Sequence, residues 1–292
     1  MKDTIAKSRI SSEGGFKQSD HQTKVEISLS KKESKRIIRE NVKVIAEIQD
    51  KMFAQQGNSV LLVFQAMDAA GKDSTIERVI TGINPQGVFV HSFKKPTEEE
   101  LSHDYMWRIN KALPPKGKMG VFNRSHYEEV LVTRVHPEFI VYQKLPGIAS
   151  VGDIPDDFWQ HRFDTINAWE KHLSDNGTTI LKFFLNVSFE EQEQRLLDRM
   201  NEQEKHWKFK LQDVKERAHW PAYSRAFEEA INATSKENAP WFVIPADDKK
   251  VMRAMVTQIV REELEKLPIT WPRSHSDIEQ DISEGRRMLS AD

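Results

Sequence analysis

The stretch Val60-Leu61-Leu62-Val63-Phe64-Gln65-Ala66-Met67-Asp68-Ala69-Ala70-Gly71-Lys72-Asp73-Ser74-Thr75 decides the fold. It opens on an apolar run, Val60 to Phe64, of the length and character of a strand buried on both faces. A small-residue loop follows, and Ile76, Val79, Ile80 and Ile83 then carry helical spacing. Strand, tight loop and helix in this order place the segment either as a P-loop, in which backbone amides and the helix N-terminus face a phosphate, or as an ordinary strand-to-helix turn with a surface lysine. Gly71 and Lys72 match the Gly-x-x-x-x-Gly-Lys-Ser/Thr pattern, whereas Ala66 replaces its first glycine and Asp73 its hydroxyl residue. Lys72 is therefore the candidate catalytic cation, with Ala69, Ala70, Gly71, Asp73 and Ser74 as the phosphate cradle. Asp68 lies inside the loop, where an anion repels phosphate unless a cation stands between them. It either binds magnesium, an oxygen-seeking ion, or caps the following turn.

Outward from this stretch the chain alternates. Ile37, Ile38, Val42, Ile45, Ile48, Met52 and Phe53 recur at three- and four-residue spacing and predict a helix over 31–55, ended by Gly57. Strands are expected at 87–93, 118–122, 178–187 and 241–245. Helices are expected from Thr97, whose Thr-Glu-Glu-Glu resembles a capping box, over 158–173, and over 248–267. The alternation predicts an α/β fold, about five parallel strands in one sheet with helices on both faces. Residues 1–28 and 268–292 read as polar tails around a folded domain at 29–267, and 137–155 as an irregular link. The apolar stripe of the first helix offers a subunit contact, so a homo-oligomer is expected.

A second chemistry-bearing segment, Phe122-Asn123-Arg124-Ser125-His126-Tyr127-Glu128, ends the third strand. Carboxyl ends of parallel strands line the ligand crevice, so Asn123 and Arg124 are expected to face the same pocket as Lys72. Asn123 stands where a nucleotide kinase has a metal-binding aspartate, which suits it to hydrogen-bond a phosphate or water. Asn123, Glu128 and Arg134 are assigned to the nucleotide, and Arg124 to catalysis. His126 is read as structural, because anionic phosphate oxygens need no general base. A third group, Arg195, Arg199, Lys205, Lys208, Lys210 and Arg217, interleaves with Trp207, Phe209 and Trp220. It is either a solvated helix face or a lid, at about 190–222, that closes over a phosphate-filled crevice.

Composition narrows the classes. The chain has no cysteine, which excludes disulfides, thiolate nucleophiles and cysteine-ligated metals. No apolar run approaches the roughly 20 residues of a membrane span, and no signal-peptide core opens the chain. A cytoplasmic protein without a membrane partner is expected. The net charge of −2 gives no global field toward nucleic acid, so no nucleic-acid partner is expected.

These residues resemble the polyphosphate kinase 2 family over about 37–267. The most specific pieces are 64–73, Asn84-Pro85-Gln86-Gly87, Ser102-His103-Asp104-Tyr105, 122–128 and 241–248. The resemblance implies a three-layer α/β/α P-loop kinase fold similar to thymidylate kinases. It carries over Asp68 and Lys72 as P-loop residues, Arg124 as a phosphate ligand, and the lid around Arg195 to Arg217, with Arg195, Arg199, Lys208 and Arg217 toward polyphosphate. Classes I and II of that family read Phe-Asp-Arg-Ser-Trp-Tyr-Asn at the strand end. Asn123, His126 and Glu128 at the differing places look like class III, which implies AMP and ADP as acceptors, other nucleotides being open. The expected partners are inorganic polyphosphate and adenine nucleotides, and the expected cofactor is Mg2+. Two rivals share the scaffold: an ATP-dependent nucleoside monophosphate kinase, and a non-catalytic nucleotide-binding protein.

Overall fold

Every residue of β1 (Ser59–Gln65) is buried, because parallel strands flank it and helices cover both its faces. The structure is a computed structural model and describes residues 1–272 and 276–290. Helices α1 (Lys2–Ser8) and α2 (Lys31–Gln55) precede β1, and α3 (Lys72–Ile80) follows it. Next come β2 (Val88–Ser92), α4 (Glu98–Leu101), α5 (Trp107–Lys111) and β3 (Met119–Asn123). Then α6 (Glu128–Val135), α7 (Glu138–Val141) and α8 (Phe158–Asp175) lead to β4 (Thr178–Asn186). The remainder is α9 (Phe189–Asn201), α10 (Leu211–Glu216), α11 (Trp220–Thr234), β5 (Trp241–Pro245), α12 (Lys249–Glu265) and α13 (Ser276–Leu289).

The strands form one sheet in the order β2-β3-β1-β4-β5, every neighbouring pair parallel. Helices α2, α3 and α12 pack together, and α6, α8 and α11 pack together, which gives the three layers that the resemblance implies. β1 is central, with β3 on one side and β4 on the other. A crevice therefore opens at its carboxyl end, where the chain switches sides.

Local chemistry explains the element ends. Ser30 and Glu33 form a reciprocal capping box at the start of α2. Gln56, with φ 51°, rather than Gly57, takes the left-handed position that ends this helix, a correction to the expected stop. Thr97 does form a capping box, but its helix lasts only from Glu98 to Leu101. Part of the α2 stripe lies inside the chain: Val42, Ile45 and Met52 are buried where α2 packs along α12, while Ile37, Ile38, Ile48 and Phe53 are half-buried.

The N-terminal segment is not a loose arm. Ile5, Ile10 and Phe16 join the core, and Arg9 bridges antiparallel to Phe242 of β5. The Phe16 amide donates to Asn232 Oδ1 at 2.7 Å, while Asn232 Nδ2 donates to the Phe16 carbonyl at 2.9 Å. Three apolar residues spread over this polar stretch give no periodicity to read. At the other end, the expected polar tail contains α13; the part of that tail at 273–275 and 291–292 lies outside the described residues.

Candidate active site

The loop between β1 and α3 turns through two left-handed residues, Ala69 at φ 61° and Gly71 at φ 105°. Glycine adopts this conformation freely and alanine does not. The Lys72 ammonium folds back into its own loop, donating to the Ala66 carbonyl at 2.8 Å and the Met67 carbonyl at 3.3 Å. Burial, and then the nearby charge of Arg124, lower the Lys72 pKa from its ordinary value. Asp68, Glu128 and Asp73 pull the other way, but the ammonium's own hydrogen bonds go only to carbonyls, so it can turn to an incoming anion.

At the end of β3, Arg124 also takes a left-handed conformation, φ 64°, and its amide donates to the Phe64 carbonyl at 3.0 Å. Its guanidinium donates to Asp68 Oδ1 at 2.8 Å, so the two expected catalytic groups meet across the crevice. The Glu128 carboxylate, then Asp68, raise the Arg124 pKa, whereas burial raises that of Glu128. The two departures from the P-loop pattern also meet. Asn123 Nδ2 donates to Asp73 Oδ1 at 2.6 Å, so the carboxylate usually found at this strand end stands instead on the first turn of α3.

Behind the loop lies Arg195, only 4% exposed. It donates to Glu191 Oε1 and to the carbonyls of Ala69, Ala70, Ala246 and Asp247. Every N–H of the guanidinium is engaged. Arg195 braces the loop from inside and does not face the crevice, which corrects its expected place on the lid.

A cavity of about 490 Å3 adjoins the loop, lined by Asp68, Arg124 and Glu128 on the wall and by Lys210, Asp213, Glu216 and Arg217 on the lid. That volume is within the roughly 300–1,000 Å3 of ligand pockets. The lid follows α9 and comprises a 3-10 turn at Gln203–Lys208, α10 and a second turn at Arg217–His219. It is tied down by Arg199 to Asp213 at 3.1 Å, His136 Nε2 to Glu216 Oε2 at 2.9 Å and Arg217 to Gln192 Oε1 at 2.8 Å. Arg217, expected toward polyphosphate, lines this cavity, whereas Arg199 is spent on its ion pair and Lys208 lies against exposed Trp207. Arg134 turns away from the cavity, pairing with Glu229 at 3.1 Å and stacking on Trp159, a correction to its assignment to the nucleotide.

Sequence reading missed Lys94, Lys95, His136, Tyr142 and Tyr223, which all line the cavity. The signal for the lysines was available: they follow β2 directly, at the carboxyl end of a parallel strand. Tyr142 lies in the link to which no role was given.

The five-stranded parallel sheet, with a tight left-handed loop leading into α3 at the carboxyl end of its central strand, defines an α/β protein of the P-loop class. Residues 28–270 match the model of the family described as Polyphosphate kinase 2 (PPK2), and the chain belongs to that family. Among its relatives, the ADP-polyphosphate phosphotransferase of Rhodopseudomonas palustris is 43% identical over 260 residues, 89% of each chain. The AMP/ADP-polyphosphate phosphotransferase of Meiothermus ruber is 43% identical over 240 residues, 82% of this chain and 84% of that one. The crystal structure of Polyphosphate Kinase 2 from Arthrobacter aurescens TC1 superposes with a TM-score of 0.84 at 35% identity, covering 97% of this chain and 96% of that chain. Among the described residues no helix is long and apolar enough to cross a membrane.

Proposed function

We propose that the protein transfers phosphoryl groups from inorganic polyphosphate to AMP and ADP, reversibly and by in-line displacement. The observation that carries this reading is the pairing of Arg124 with Asp68 over the loop that holds Lys72, at the mouth of a cavity large enough for a nucleotide. The relatives named ADP- and AMP/ADP-polyphosphate phosphotransferases support both donor and acceptors.

In this reading the donor's terminal phosphates occupy the amides of 69–72, and Lys72 and Arg124 stabilise charge that spreads over the transferred group. Lys249 and Arg253 stand on α12, which packs against α3 beside the loop. Burial, and then the charge of Arg195, lower the Lys249 pKa; burial, and then Arg78, lower that of Arg253. Cations that repel one another in this way favour a long polyanion, and we assign the donor's tail to them. The acceptor takes the cavity, with Lys94, Lys95 and Arg217 toward its phosphate and His136, Tyr142 and Tyr223 as faces for the base.

Among the described residues no group of three or more acidic or histidine side chains is placed to hold a metal by itself, so we assign magnesium to Asp68 together with phosphate oxygens and water, the usual surroundings of this ion. Asp68 and Asp213 line one cavity, and Asp73 stands on the adjoining turn. Burial, and then the charge of Asp68, raise the Asp213 pKa, a repulsion that a divalent cation relieves. When bound, magnesium supplies neutralisation of phosphate oxygens. Glu128 and Asn123, at the places that look like class III, support acceptance of AMP alongside ADP.

Incubating purified protein with AMP and magnesium, and with either polyphosphate or ATP, tests the proposal. ADP formed from polyphosphate supports it. ADP formed only from ATP would make the protein a nucleoside monophosphate kinase, and binding without turnover a nucleotide-binding protein.

A further inference from the structure

Beneath the strand-end segment lies a buried polar network that phosphoryl transfer does not itself use. Lys182, in the middle of β4, is in register with Val63 of β1 and Trp241 of β5 and is fully buried. A lysine in mid-sheet is costly unless every proton finds a partner. Here each does: Nζ donates to Glu170 Oε2 at 2.6 Å, the Thr234 carbonyl at 2.7 Å and the Tyr127 hydroxyl at 2.9 Å. The Tyr127 hydroxyl in turn donates to Glu170 Oε1 at 2.8 Å. Burial lowers the Lys182 pKa to about 8, against the pull of Glu170. Burial works against Glu170 as well, but Lys182 and then His126 hold its pKa below the ordinary value.

The network reaches the crevice through Tyr127. Its ring packs edge-on against Trp241, and its amide donates to Ser125 Oγ at 3.1 Å. Ser125 Oγ also accepts from Gln65 Nε2, at the end of β1, at 3.1 Å. Arg124, the residue before this clamp, is the left-handed one. A non-glycine residue keeps that conformation only where its surroundings enforce it.

We propose that Lys182, Glu170 and Tyr127 are positioning residues that hold the Ser125–Tyr127 turn and thereby keep Arg124 left-handed, with its guanidinium aimed across the crevice at Asp68. A hydrophobic trio would fill the same space at no loss of stability. What the polar trio adds is a directional anchor for one hydroxyl, in a place where lateral slip would swing Arg124. The inference rests on the reading of Arg124 as a phosphate ligand.

The test is a double-mutant cycle on kcat. Tyr127→Phe keeps the ring and removes the anchor's hydroxyl, and Glu170→Met with Lys182→Met removes the charges together. The Met pair is expected to keep the thermal midpoint near that of the parent, and Tyr127→Phe to lower it while staying folded, because one Lys182 proton loses its acceptor. Each, assayed below its own midpoint, is expected to lower kcat by about tenfold or more, the scale of a misplaced catalytic group. In an Arg124→Ala background the same changes are expected to shift kcat by no more than about twofold, because interacting residues are not additive. A full, additive loss in that background would overturn the inference, since the network would then act elsewhere. Unchanged kcat in Tyr127→Phe, with Arg124→Ala impaired, would overturn it too and leave the site reading intact. An Arg124→Ala enzyme of normal kcat would overturn the site reading and this inference with it. Should the Met pair fail to fold, the Tyr127→Phe cycle decides alone.

Discussion

The P-loop wall and the lid that faces it both carry arginines from one basic stretch of sequence, yet the two regions hold them differently. On the wall, Arg195 is 4% exposed and gives every N–H to a fixed acceptor, mostly loop carbonyls. On the lid, Arg217 spans Gln192 and Glu193, and Trp207 nearby is 78% exposed. The wall is thus preformed before any phosphate arrives. The lid rests on a few side-chain contacts, Arg199 with Asp213, His136 with Glu216, and Arg217 with Gln192, Glu193 and the Phe189 ring, and not on a network of loop carbonyls. A preorganised wall suits charge stabilisation in the transition state, and a lightly held lid suits entry and release.

Substitutions on either side break or sharpen this contrast. The largest effect is expected on the wall. Lys72→Ala is predicted to cut kcat by at least about a hundredfold, the scale of removing one preorganised donor; steady-state kinetics with polyphosphate and AMP check it, and near-normal turnover would remove Lys72 from the chemistry. Arg195→Ala is predicted to cost roughly 1–3 kcal/mol of stability, because buried loop carbonyls lose their donor. Chemical denaturation measures this, and an unchanged midpoint would mean that the loop keeps its shape unaided.

Lid changes are expected to be smaller and to fall on binding. Arg217→Ala is predicted to raise the KM for substrate phosphate by several-fold, about 1 kcal/mol, while kcat holds within about twofold, as for a contact made equally in ground and transition states. A loss in kcat alone would move Arg217 to the wall's side of the comparison. Trp207→Ala, at an exposed position without buried partners, is predicted to change stability by no more than about 0.5 kcal/mol. Thermal melts check that value.

Much of this contrast was legible from residues and some was not. β1 and α3 could be read because a buried apolar run and a helical period meet at small residues, and local pattern dictates both. Arg195 and Arg217 could not be told apart. Both are arginines among mixed charges, and only tertiary folding decides which guanidinium meets loop carbonyls and which meets the cavity. Arg134 misled for the same reason: it follows the strand-end segment in sequence, but the turn of α6 points it at Glu229 and Trp159. The Lys182 network was invisible because a lysine in an apolar strand reads as an edge or solvent position until Glu170, from α8, arrives beneath it. The docked N-terminal segment rests on scattered contacts, such as Phe16 with Asn232, that leave no period in the chain.

The central claim is that the left-handed turn at Ala69 to Gly71 grips condensed phosphates while the neighbouring cavity holds the nucleotide. A crystal structure of the protein with polyphosphate, a non-reactive nucleotide and magnesium tests it most directly. The account predicts phosphates on the amides of residues 69–72, the Lys72 ammonium turned from the Ala66 carbonyl onto a phosphate oxygen, and the base among His136, Tyr142 and Tyr223. Phosphates bound elsewhere, with Lys72 still on its own loop, would contradict it.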